Sequence, residues 1–245
     1  MRAGVFLSEE TDGEYYYPSK EIEMEKKTTA LLLRLVDKGE SDRVAFLLTA
    51  DEGVIAATFR GVRKAKARLR YAARPFSLCE YELGGRENAY IVTGATVIED
   101  LYGLCTSPET FACASIVTEA AEKSSAALDD GTAFVVALKT LKALLFGEAS
   151  CGLVVAKYLQ KITSMSGLTT IPSKKTEYPA TPSGVLDRIA YLRLDELDSL
   201  DIDGNLVYRA VKLMASRFNS AFGCELKSLG FYSSMFAADG RIRKI

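Results

Sequence analysis

Between Thr58 and Arg74 the chain carries seven cations, Arg60, Arg63, Lys64, Lys66, Arg68, Arg70 and Arg74, and no acidic residue. Guanidinium and ammonium groups repeated at short intervals can follow a polyanion without reading base identity, because what attracts them is phosphate charge. Phe59 and Tyr71 sit among these cations and are expected to add base stacking, worth about 1 to 3 kcal/mol per base where it occurs. Lys38 and Arg43, with Lys26 and Lys27, are expected to extend the same face. The plainer alternative is a solvated loop whose charges meet only water and counter-ions.

A second constellation is Lys157 and Lys161, spaced i, i+4 beside Tyr158 and Ile162. Cations flanked by apolar side chains suit an acidic, apolar peptide that ends in a carboxylate; the alternative is an ordinary amphipathic helix. Arg209, Lys212 and Arg217 read as solvated surface. Catalytic chemistry finds little support. There is no histidine, so the usual general base and the commonest nitrogen ligand for zinc are both missing. The five cysteines, Cys79, Cys105, Cys113, Cys151 and Cys224, are scattered, with no CxxC pair, and fit reduced thiols in a cytoplasm. Asp195, Glu196, Asp198, Asp201 and Asp203 lack the spacing of a calcium loop, and no Walker lysine loop or GxGxxG is present. No catalytic residue, metal ligand or cofactor is expected, and the protein reads as a non-enzyme.

These side chains need a frame, and 245 residues with 48% hydrophobic content can build one. The greasiest stretch, Phe134 to Phe146, is broken by Lys139 and Lys142, so no membrane span is expected. Residues 1–24 hold Glu9, Glu10, Asp12, Glu14, Glu21 and Glu23 against Arg2 and Lys20, and read as a flexible acidic tail. The chain's formal charge is −1, so what remains is mildly basic. Strand signals follow over Thr29–Asp37, Arg43–Thr49, Val54–Arg60, Phe76–Leu83 and Tyr90–Glu99, with a break at Gly84-Gly85. Five short strands predict a small closed barrel of OB type over residues 25–104, with the basic run as a flexible connection. Beyond Ser107-Pro108 the period becomes helical. Helices are expected from Pro108 to about Ala126, from Thr132 to Phe146, from Ser150 to Gly167 with Leu153, Tyr158, Ile162 and Met165 inward, and from Asn205 to Phe222. Leu168 to Val185, with Pro172, Pro179 and Pro182, reads as irregular connection, and 241–245 as a frayed basic end. The fold class is α+β: an N-terminal OB barrel, then a mostly helical domain over 105–245 with a connecting loop at 168–194 and a short irregular C-terminal part.

Three stretches resemble the DNA repair protein RecO family. Leu33-Arg34-Leu35-Val36-Asp37-Lys38-Gly39-Glu40-Ser41-Asp42-Arg43 resembles its opening hairpin, and Phe59 to Leu69 continuing to Arg74-Pro75-Phe76-Ser77 is similar to its basic segment. Gly223-Cys224-Glu225-Leu226-Lys227-Ser228-Leu229-Gly230-Phe231 is like its closing segment, more loosely. The resemblance implies an OB-fold before a helical domain and a role in recombinational repair in the cytoplasm, at the nucleoid. It implies binding of single- and double-stranded DNA, annealing of complementary strands, contact with the C-terminal tail of the single-strand-binding protein, and work with RecR to load RecA. One departure is informative: many members hold a four-cysteine zinc site where Gly167 to Leu194 here has no cysteine. No structural zinc is expected, which leaves that connection to be held by packing.

Two other classes compete with this reading. An RNA-binding OB protein needs the same cations, and competition between matched RNA and DNA oligonucleotides separates the two. A protein-interaction scaffold would use the basic loop on an acidic partner; a cysteine or Ser-Lys enzyme has the least support. Met24 is expected to be the natural start, because patterned sequence begins at Glu25-Lys26-Lys27-Thr28. Mass spectrometry of the native N-terminus tests this, and a peptide containing Tyr15 to Tyr17 would end the idea.

Overall fold

A small sheet leaves two edges unpaired unless it closes on itself. In the computed structural model, which describes residues 25–86, 89–128, 131–167 and 180–238, the first five elements do close. β1 (Glu25–Lys38), β2 (Asp42–Thr49), β3 (Val54–Phe59), β4 (Ser77–Arg86) and β5 (Ala89–Asp100) form a barrel in the order β1-β2-β3-β5-β4. β4 returns to pair with β1, and β3 with β5 is the parallel pair. That order is an OB-fold. The Gly84-Gly85 break expected after Leu83 lies instead inside β4, where Gly84 pairs with Ile91 and Gly85 with Tyr90. Gly85 takes φ 114°, and a Cβ there would come within 2.7 Å of the Ala89 carbonyl oxygen, so the glycine serves a close approach.

The run Ala30-Leu31-Leu32-Leu33 is apolar on both faces because both faces of β1 are covered. Ala30 and Leu32 join the barrel interior with Leu47, Phe59, Tyr81 and Leu83. Leu31 and Leu33 join the helical core with Leu48 and Leu78. The register with β2 slips between Leu32 and Arg34, and this bulge reverses the alternation so that Leu33 and Arg34 both face outward while Leu35 returns to the barrel. Arg34 then lies 3.5 Å over the Phe46 ring and makes two 2.7 Å hydrogen bonds to the Glu122 carboxylate of the first helix. One strand therefore belongs to two cores.

The helices are α1 (Pro108–Ser124), α2 (Thr132–Phe146), α3 (Cys151–Met165), α4 (Pro182–Ala190), α5 (Gly204–Phe222) and α6 (Ser228–Ala238). α1 is central, since its Ala112, Cys113, Ile116, Val117 and Ala120 are buried without remainder against α2, α3 and α6. It ends at Ser124 and passes into a 3-10 turn over Ser125–Ala127, and the Ser107 hydroxyl makes no capping bond. Among the described residues no helix is long and apolar enough to cross a membrane.

Two helices were not expected. α4 falls inside the segment read as a connecting loop at 168–194. Its Thr181 side chain accepts from the Gly184 N–H, and Pro182 occupies the first turn, where a missing N–H costs nothing. Val185, Leu186 and Ile189 form its buried face, and α3 side chains reach across to its carbonyls, so it is held by hydrogen bonds as well as packing. In α6, Tyr232 and Leu229 pack on the helical core. The acidic tail at 1–24, residues 168–179 and the basic end at 241–245 lie outside the described residues.

The β3–β4 connection is anchored at three points. At its start Gly61, at φ 63°, donates its N–H to Asp42 Oδ1 at 2.7 Å, and the Ser41 hydroxyl donates to the same oxygen at 2.8 Å. In its body Val62, Ala72 and Ala73 enter the barrel core, with the Tyr81 hydroxyl donating to the Ala72 carbonyl at 3.1 Å. At its end Phe76 is buried in the helical core, edge-on to Phe111 at 5.9 Å. Phe76 has φ 61°, a region that costs a bulky residue roughly 1 to 3 kcal/mol, and burial of the ring offsets that.

Leu31→Ala should cost about 3 kcal/mol, and calorimetry should still show one transition, because the strand serves both cores. Two separated transitions would contradict a shared core. The Gly61 N–H and then the Ser41 hydroxyl hold the Asp42 carboxyl below its ordinary 3.8. A depressed carboxyl contributes stability that is complete above that value and is lost as pH falls through the lower folded value. The Gly61 amide resonance should therefore titrate with a midpoint below 3.8; a midpoint at or above it removes the anchor.

Candidate nucleic-acid interface

Because the apolar residues of the connection point inward, its charged ones cannot. Arg60, Arg63, Lys64, Lys66, Arg68, Arg70 and Arg74 are all exposed, while Val62, Ala72 and Ala73 are buried and Leu69 packs beside them. The segment is not the flexible connection expected. Lys64 N–H bonds Gly61 O at 3.1 Å, Ala67 N–H bonds Lys64 O at 3.1 Å, Arg70 N–H bonds Ala67 O at 3.3 Å and Ala72 N–H bonds Leu69 O at 3.1 Å. These successive tight turns wrap the loop over one end of the barrel.

The cations divide by their partners. Arg43 pairs with Asp37 at 2.8 Å, and Arg63 shares that carboxylate at 3.4 Å while donating to the Gly39 carbonyl at 3.0 Å. Arg74 lies 3.5 Å from Asp100 and 5.5 Å from the Tyr102 ring centre. Arg60, Lys64, Lys66, Arg68, Arg70 and Lys38 have no salt-bridge partner among the described residues. The neutralised arginines brace the loop against the β1–β2 hairpin and β5; Arg60 and Lys38 lie near enough to Asp42 to help lower its carboxyl, and Lys64, Lys66, Arg68 and Arg70 have no salt-bridge partner among the described residues.

Lys38 and Arg43 stand at the end of the barrel from which the loop leaves, since Arg43 pairs with Phe59 across β2 and β3. Lys26 and Lys27 do not extend this face. They lie at the other end of β1, ion-paired with Glu52 and Glu82. Phe59 is fully buried, edge-on to Tyr81 at 6.1 Å, and offers no ring for stacking. Tyr71 keeps 41% exposure, with its hydroxyl bonded to the Ala95 carbonyl, which holds the ring beside the cations. Alternation could have flagged Phe59 as inward, because it follows Ala57 on the barrel side of β3.

A groove of about 960 Å³ runs between α2, α3 and the turn after α4. Val136, Ala143, Phe146, Met165 and Leu192 supply apolar lining, Lys139, Lys142, Lys161 and Arg193 supply positive charge, and Asp198 and Asp195, the latter 3.2 Å from Arg193, supply negative charge. Phe146 is 71% exposed and Met165 47%, so Met165 is not the core residue expected. The four residues singled out on α3 separate here. Lys157 donates to the Ile189 and Ala190 carbonyls at 2.8 and 2.9 Å, closing the end of α4, and burial pushes its ammonium below the ordinary lysine range. Tyr158 is buried in the groove floor with no hydrogen-bond partner for its hydroxyl among the described residues, and Ile162 is buried in the helical core away from the groove. Lys161 alone is exposed at the rim. The rim residues Lys139 and Arg193 and the exposed Phe146 went unnoticed in sequence. A phenylalanine closing a helix just before Gly147 was the available signal.

The acidic turn serves local structure. Asp203 accepts from the Asn205 and Leu206 N–H groups at 3.1 Å to cap α5, and Glu196 accepts from the Arg193 N–H at 2.6 Å. No group of three or more potential ligands is placed to hold a metal ion among the described residues.

Residues 24–101 match the family model described as Recombination protein O N terminal. The chain is 35% identical over 99 residues to the DNA repair protein RecO of Anaeromyxobacter sp. (strain K), covering 40% of this chain and 39% of that one. It is 26% identical over 141 residues to the RecO of a Nocardioides species, covering 56% and 58%. With the RecO of Caldanaerobacter subterraneus it shares 30% over 93 residues, 38% of each chain. The chain thus spans about two fifths to three fifths of the length of these relatives. Through a barrel matched in sequence along its length and built in OB order, residues 24–101 are similar to the N-terminal part of RecO proteins.

Proposed function

We propose that this protein is a non-enzymatic recombination mediator of DNA repair, acting in the cytoplasm at the nucleoid, whose 25–104 barrel binds single- and double-stranded DNA. The observation that carries the reading is the anchored loop, on which Arg60, Lys64, Lys66, Arg68 and Arg70 are exposed beside Lys38 and have no salt-bridge partner among the described residues. Arg63, Arg74 and Arg43 keep the loop in place and reach phosphate only by leaving their carboxylates. Charges fixed in advance lose little entropy when a strand arrives. Two strands held near the same cations repel each other less, which is the physical basis for annealing.

The helical unit over 105–245 recruits protein partners on this reading. Its groove joins an apolar floor to the rim cations Lys161 and Lys139, with Arg193 held by Asp195, and this suits the acidic, apolar C-terminal tail of the single-strand-binding protein. Recruitment there brings the protein to coated strands, where with RecR it promotes loading of RecA. Of the α3 residues, Lys161 meets the tail's carboxylate and Tyr158 floors the groove; Lys157 acts indirectly by holding α4.

With about five phosphates contacted on a single strand, log affinity should fall against log salt with a slope near −3.5. Replacing Lys64, Lys66, Arg68 and Arg70 with Ala, which leaves the bracing Arg63 in place, should bring that slope to roughly −1 and slow fluorescence-monitored annealing by at least about tenfold. A variant that anneals like the parent would end the reading. Preference for matched RNA over DNA in the same titration would instead support an RNA-binding OB protein.

A further inference from the structure

The second half of the basic loop runs beside the last residues of β5. The Tyr71 hydroxyl donates to the Ala95 carbonyl, Arg74 lies 3.5 Å from Asp100, and Ser77, where β4 begins, pairs with Asp100. β3 pairs with β5 only at Tyr90 and Ile91, so among the described residues no strand pairs with the rest of that edge of β5. Between the two loop contacts Val97 and Ile98 are exposed; the register with β4 slips between Leu78 and Cys79 and leaves Ile98 without an opposite residue. Just past them Tyr102, 49% exposed, opens the 3-10 turn Tyr102–Cys105.

Both rings are mounted on fixed backbone. Tyr71 precedes Ala72, which is buried in the barrel. Tyr102 lies between the fully buried Leu101 and Gly103, where a Cβ would come within 2.7 Å of Leu145 on α2. The Tyr102 N–H donates to Asp100 Oδ1 at 2.9 Å, and Arg74 reaches the other oxygen of that carboxylate with its guanidinium 5.5 Å from the Tyr102 ring centre. Asp100 thereby sets a cation against the ring while its own charge is offset. From Ala95 to Asp100 the strand covers on the order of 16 Å, room for several nucleotides. Two exposed rings, an aliphatic pair between them and a row of cations alongside match an unpaired strand, which offers flat bases and phosphates together. A duplex offers the phosphates but keeps its bases stacked on one another, and exposing them costs free energy.

We propose that Tyr71 and Tyr102, with Val97 and Ile98 between them, form a stacking surface for unpaired bases that holds single strands and lets go of duplex once annealing is complete. That role rests on the reading of the adjacent loop as a DNA site and adds to it a contact that phosphate charge does not supply. The loop cations position the strand by its phosphates, and bases turned toward β5 stack on the rings. When a complementary strand pairs, the bases stack within the new duplex, the rings lose their contacts, and only the phosphate attraction common to both forms remains. Stacking of one base on one ring is worth on the order of tenfold in affinity.

The test compares, on the full chain, an oligothymidylate with an abasic strand of the same number of phosphates, each read by fluorescence anisotropy across a salt series. The parent should bind the oligothymidylate at least about tenfold more tightly than the abasic strand, with the two salt slopes alike. Tyr71→Leu combined with Tyr102→Leu should bring that ratio to about one while keeping the slope, the parent's melting temperature and the affinity for a blunt duplex. Tyr102→Phe, which keeps the ring, should keep the ratio. Equal affinity of the parent for both strands, a ratio that survives both leucines, or a duplex affinity that falls as far as the single-strand affinity would each overturn the proposal while the salt slope still upholds the loop. A flat salt response with the ratio kept would sink the loop reading and leave the stacking surface standing.

Discussion

β1 cannot choose between two interiors. Its inward residues Ala30 and Leu32 fill the barrel, while Leu31 and Leu33 fill the space beneath α1 and α2, and all four are buried. A regular strand would bury Arg34 on the barrel side; the bulge at Leu33 turns it outward, where its charge finds Glu122 and its plane finds Phe46. Removing an unpaired guanidinium from water would cost several kcal/mol, so a barrel packed on helices through this strand requires the bulge. The position of α1 against the barrel follows from it.

From that placement comes the state of the basic loop. Phe76 reaches out of the barrel into the helical core, and it can do so only because α1 brings Phe111 alongside; Phe111 in turn stacks edge-on against Phe231 of α6 at 6.2 Å. The barrel contributes the other anchors, Asp42 on the Gly61 N–H and the small residues Ala72 and Ala73 in its end. A loop fixed at both ends and in the middle displays charge in a set pattern. That is a different object from a charged tether, which would have to lose its freedom on each encounter with a strand.

The groove shows a similar division between side chains that build and side chains that meet solvent. Lys157 and Gln160 both place hydrogen bonds on α4 carbonyls, at Ile189, Ala190 and Leu186, and so hold a short helix against α3. Lys161, one turn further along, is left for the rim. Neighbouring lysines of the same helix thus have opposite roles.

The residue order by itself determined the five strands, four of the six helices and the acid-free run of cations, because alternation, capping residues and charge are local properties written along the chain. It missed α4 because prolines were read as breakers where Pro182 starts a helix, and α6 because its apolar residues show no one-sided stripe. Only the tertiary structure decided which cations are neutralised. Arg63 and Lys64 are adjacent and alike in sequence, yet one reaches Asp37, 26 residues earlier, and the other pairs with no acid among the described residues. It also decided that Phe59 faces inward for good and that Lys26 and Lys27 stand at the far end of the barrel. Pairing of charges and burial of rings depend on distances across the chain, which strand register and helix packing set and which no local pattern contains.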